Sequence, residues 1–93
     1  MTGKGSSEND EKLNRQILRY LVEHPDAKDT VDGVIKWWLS EDLAGRGRKT
    51  VQEGLDMLVS KGWLTRRDVT SSEKIYGVMK DRLGEIEKFL RGK

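Results

Sequence analysis

The sequence predicts an α+β domain built from three helices, a two-stranded hairpin and a closing helix. Two observations carry that prediction. Apolar residues recur at three- and four-residue spacing in four separate segments, the rhythm of helices with one buried face. At Gly62 that rhythm stops, and two β-prone runs follow, Trp63 to Val69 and Lys74 to Met79, around the small polar stretch Thr70-Ser71-Ser72-Glu73.

Taken in order, residues 1–8 are small and polar after Met1 and are expected as a flexible tail, with residues 9–91 forming the one domain. The first helix is expected from about Glu8 to Glu23. Leu13, Ile17, Leu18, Leu21 and Val22 form its apolar face, Ser7 is placed to cap it, and His24-Pro25 ends it because the residue before proline is pushed away from helical angles. A second helix is expected after Asp29-Thr30, either of which can cap it, running to about Leu39 with Val31, Val34, Ile35 and Trp38 inward. Ser40 to Gly47 reads as a long polar turn. The third helix spans about Lys49 to Lys61, with Val51, Leu55, Leu58 and Val59 on one side and Gly62 as its terminating glycine. The last helix, from about Lys80 to Arg91, carries Leu83, Ile86, Phe89 and Leu90 on one face.

Ninety-three residues fit a single domain with one modest core. The absence of cysteine excludes disulfides and thiolate metal sites, and the lone histidine, His24, has no second histidine to join it in a zinc site or catalytic dyad. An enzyme, a metal and a cofactor are therefore not expected. Neither a secretory segment nor an apolar run of membrane-spanning length is visible, so a cytoplasmic protein without a membrane or small-molecule partner is the expectation. The net charge of +2 says little by itself, but its distribution says more. Between Gly45 and Arg67, Arg46, Arg48, Lys49, Lys61, Arg66 and Arg67 stand against only Glu53 and Asp56, so the remainder of the chain is net acidic.

The run Thr50-Val51-x-x-x-Leu55-x-x-Leu58-Val59-x-x-Gly62-Trp63-Leu64, preceded by the basic turn, resembles the recognition helix and first wing strand of prokaryotic winged helix-turn-helix regulators. With the order of elements, the resemblance covers about Glu8 to Leu90. It implies a three-helix core with a two-stranded β-hairpin wing and a C-terminal helix. It also implies a DNA-binding transcriptional regulator whose partner is double-stranded DNA. Residues near the start of the third helix would then face base edges, Lys49, Thr50, Gln52 and Glu53 among them, with Gln able to pair with adenine and Glu able to accept from cytosine. Arg46 and Arg48 in the turn, with Arg66, Arg67 and Lys74 on the wing, would meet phosphates. The turn departs from the family pattern. Where many members carry a short turn with a Ser or Thr cap, Gly47-Arg48-Lys49 follows a longer loop. Glu53 and Asp56 repel phosphates and weigh against this reading.

Two further resemblances are local. Arg46-Gly47-Arg48 looks like the core of an AT-hook, with Lys49 where a proline normally follows. Lys49-Thr50 ends like a phosphate loop, but Leu43 and Arg48 stand where the two glycines belong, which excludes nucleotide hydrolysis by that motif. The competing function is an adaptor that binds protein or a second copy of the chain. Trp37, roughly 100° round from Trp38, either covers the edge of the core or stands out as an anchor. The stripe of Leu83, Ile86 and Leu90 either closes the core against the first helix or extends a contact between chains.

Overall fold

The computed structural model describes residues 2–92, with side chains from Glu11 to Gly92. Among the described residues the chain is α+β, five α-helices and a small antiparallel sheet of three strands, compatible with the winged-helix order.

Helix α1 (Thr2–Glu23) buries Leu13, Ile17, Leu18 and Leu21 completely and stops just before His24-Pro25. It begins at Thr2, so the tail expected over residues 1–8 has no change of element at its end, and the Ser7 cap falls outside the described side chains. Strand β1 (Lys28–Asp29) pairs antiparallel with a later strand, Lys28 opposite Gly77 and Asp29 opposite Tyr76. The expected two-stranded hairpin is thus the larger part of a three-stranded sheet. Two residues carry no alternating pattern, and their partner lies far along the chain, so local sequence does not show this strand.

Of the two residues able to cap the next helix, Thr30 does so, its Oγ1 accepting from the Gly33 N–H at 3.2 Å. Helix α2 (Val31–Gly33) continues as one π-helical turn, Val34–Trp38. Trp38 is inside and stacks on Tyr20, ring centroids 5.0 Å apart and planes 11° apart, whereas Trp37 is turned out and is 65% exposed.

The stretch expected as a long turn contains a short helix, α3 (Glu41–Ala44), anchored by buried Leu43. The Ser40 N–H donates to Gln16 Oε1 at 3.3 Å, tying it to α1. One apolar residue in a polar run gives no period to read, so only packing reveals the element. The turn into the next helix therefore shrinks to residues 45–47. Gly47, at φ 101° and ψ 153°, occupies a region essentially restricted to glycine and offers no side-chain cap.

Helix α4 (Arg48–Ser60) starts one residue earlier than expected and buries Val51, Gly54, Leu55 and Leu58. Gly54 lets α1 approach closely, since a Cβ there would sit 2.7 Å from Asn14 Oδ1. The helix ends as the sequence predicts. Gly62 at φ 86° donates to the Val59 carbonyl at 2.9 Å, and the Trp63 N–H reaches the Leu58 carbonyl at 3.1 Å. That pair of bonds is a Schellman termination.

Strands β2 (Leu64–Asp68) and β3 (Lys74–Val78) follow at once, with Leu64 opposite Val78, Arg66 opposite Tyr76 and Asp68 opposite Lys74. Alternation puts those residues on the face that carries buried Leu64, Tyr76 and Val78, and puts Thr65, Arg67, Ile75 and Gly77 on the other. A 3₁₀ turn (Lys80–Arg82) leads into helix α5 (Leu83–Arg91), which packs on α1. Ile86 is 0% exposed, and Leu83, Phe89 and Leu90 pack against the core. Of the two expectations for the Leu83, Ile86, Leu90 stripe, the inward one is observed. The stripe is not an open protein-binding face, because Ile86 is fully buried and Leu83 and Leu90 are partly buried against the core.

Candidate functional site

The turn at residues 45–47 divides the local positive charge between two grooves. Arg48, two residues beyond Arg46, lines a small cleft of about 40 Å³ where the start of α4 meets the start of α2 and the hairpin. Gln52 and Lys74 line the same cleft, so three of the expected DNA contacts converge there, accompanied by Asp32 and Glu73. Lys49 and Glu53 lie exposed on the outer face of α4, with Thr50 half-buried beside them.

Several of these charges already have partners. Arg48 Nε donates to Asp32 Oδ1 at 2.9 Å, with both side chains more than half exposed. An exposed pair of this kind is worth only about 0.2–1 kcal/mol, so an incoming phosphate can replace Asp32 cheaply. Arg66 Nη1 lies 3.3 Å from Asp56 Oδ1, and the same oxygen accepts from the Tyr76 hydroxyl at 2.8 Å. Burial pushes the Tyr76 phenol up to about 12, and the bond to Asp56 adds to the effect. Asp56 is thus an internal acceptor. Of the two acids set against DNA, only Glu53 faces solvent without a partner among the described residues.

The wing residues do not act as one set. Arg66 lies on the α4 side of the hairpin, whereas Arg67 projects from the opposite face beside Lys28, Thr65 and Ile75. Arg46 is separate as well. It lines a groove of about 540 Å³ between α1 and α3, together with Lys12, Arg15 and Arg19. Those three α1 cations are absent from the sequence expectations above. Their spacing at positions 12, 15 and 19 places them on one helical face, which is the signal that finds them.

Other polar contacts brace the frame behind these grooves. The Trp63 indole Nε1 donates to Glu85 Oε1 at 3.0 Å and Arg82 pairs with the same carboxylate, both holding Glu85 below the usual carboxylate range. Lys80 likewise bonds Asp26 and lowers it, joining the segment before β1 to the turn before α5.

Fold and grooves together define a small α+β domain with two charge-lined grooves meeting at one interhelical turn. Comparison with protein-family models, curated proteins and solved structures finds no match for the chain. Among the described residues, no helix is long and apolar enough to cross a membrane.

Proposed function

We propose that this is a small winged-helix DNA-binding protein of the cytoplasm, a transcriptional regulator that occupies duplex DNA with α4 and the hairpin and uses no cofactor or catalysis. The observation that carries the reading is the convergence of Arg48, Gln52 and Lys74 where α4 begins beside the hairpin. In this reading the start of α4 enters the major groove, where Gln52 and Glu53 meet base edges. Arg48, Lys49 and Lys74 neutralise phosphates, and the positive end of the α4 dipole attracts the same phosphates. Arg66 joins them when it exchanges Asp56 for a phosphate.

Anisotropy titrations of a labelled duplex at several salt concentrations test this. Affinity should weaken steeply with salt. Arg48→Ala with Lys49→Ala should cost roughly ten- to hundredfold at low salt and reduce the log–log salt slope by about 2. Negligible affinity at low salt, or a double variant that binds like the wild type, contradicts the reading.

One observation favours a protein-binding adaptor instead: Trp37 is 65% exposed with Lys36 Nζ 5.2 Å above its ring. Trp is favoured at interaction hot spots. Trp37→Ala separates the readings, since duplex affinity is expected to be unchanged by it when α4 and the hairpin are the contact surface. A loss of duplex affinity as large as that of the α4 double variant counts against that surface.

A further inference from the structure

We propose that the groove between α1 and α3 is a second phosphate-binding site, which takes the sugar–phosphate backbone of the same duplex on the other side of the 45–47 turn from the α4 cleft. The inference rests on the DNA reading above and extends the contact surface to residues that reading does not use.

Charge is the first support. Lys12, Arg15, Arg19 and Arg46 line the groove against the single carboxylate of Asp42. The second is availability. Arg48 and Arg66 are paired with Asp32 and Asp56, but Lys12, Arg19 and Arg46 form no ion pair among the described side chains, Glu11 to Gly92. Lys12 and Arg19 stand directly in solvent.

The third support is a cation held in place before any ligand arrives. The Arg15 guanidinium lies 4.7 Å over the Phe89 ring, its Nη1 donates to the Leu90 carbonyl at 3.5 Å, and its Nε lies 3.5 Å from Glu11. Its Nη2 is buried and has no hydrogen-bond partner. Arg15 is therefore a fixed positive charge in the groove wall, and Lys12, Arg19 and Arg46 are the side chains left to meet a phosphate.

The lining also selects the ligand. No aromatic side chain lines the groove, so unstacked bases have no platform, and the chemistry suits a duplex backbone over a single strand. Arg46 and Arg48 are two residues apart, a backbone span of at most about 7 Å, so one duplex can engage both grooves.

Lys12→Ala with Arg19→Ala tests the site in the full chain; Arg15 is left intact because it packs on α5. The double variant is expected to keep its melting temperature and to lower the salt slope by about 2. It should lose at least tenfold in affinity at low salt, equally on unrelated duplex sequences, because phosphate contacts carry no sequence information. The charge-preserving pair Lys12→Arg with Arg19→Lys should retain the wild-type slope. If the wild type binds with a steep slope and the alanine pair leaves it unchanged, this site is refuted while the α4 surface stands. If the wild type binds no duplex at low salt, both fall.

Discussion

Replacing Ile86 with alanine should lower the unfolding free energy by about 2–5 kcal/mol, the range for truncating a fully buried aliphatic side chain. Ile86 is 0% exposed on α5, where that helix closes against α1, with Leu83, Phe89 and Leu90 packed around it. Removing three carbons there leaves a cavity that a short helix can only partly collapse into. Domains of this size are stable by about 5–15 kcal/mol, so the loss is a large share of the total. At about 4–8 °C per kcal/mol, the melting midpoint should fall by roughly 10–40 °C, read by circular dichroism at low protein concentration. A midpoint that does not move in dilute solution would show the Leu83, Ile86, Leu90 stripe facing outward, as a docking surface requires.

Asp56→Ala should move stability and DNA affinity in opposite directions. It removes the acceptor of the buried Tyr76 hydroxyl, and an orphaned buried donor costs about 1–3 kcal/mol. It also releases Arg66 and deletes a negative charge from α4, so duplex affinity at low salt should rise several-fold. Burial of the Tyr76 phenol, reinforced by its bond to Asp56, makes wild-type stability depend on pH at the alkaline end. Because the folded phenol titrates near 12, above the ordinary 10, its contribution is complete below about pH 10 and is lost as pH rises towards 12. In the variant the absorbance titration of Tyr76 should fall only part of the way back, since burial, the larger cause, remains. Affinity that drops in a variant still folded at the assay temperature would mean that Asp56 serves binding directly and not through Arg66.

Much of the frame is legible in the sequence because its signals are local. Gly62 marks the end of α4 since only glycine enters the left-handed region there cheaply, and the β-prone runs Trp63 to Val69 and Lys74 to Met79, set around a small polar loop, show both strands of the hairpin. The buried faces of α1 and α4 each repeat over about two turns. The missing parts are short or depend on distant partners. β1 exists because Tyr76 and Gly77 come to meet it, and α3 has Leu43 as its one buried residue. At the site, the sequence shows which residues are charged but not which charges are already spent. Nothing near Arg48 in the chain announces Asp32 as its partner, and nothing near Asp56 announces Tyr76. Arg66 and Arg67 read as a pair, although strand alternation sends them to opposite faces. The Lys12, Arg15, Arg19 face is periodic in the sequence, but it becomes a groove only when α3 brings Arg46 beside it.

The central claim, that α4 and the hairpin contact duplex DNA, is tested most directly by following backbone amide resonances of the wild-type chain during a low-salt titration with a short duplex. The largest perturbations are expected from Arg46 to Glu53 and at Lys74, with the amides around Lys12 and Arg19 shifting alongside and those around Trp37 still. Perturbations centred on Trp37 with α4 unmoved, or none at any residue, would contradict it.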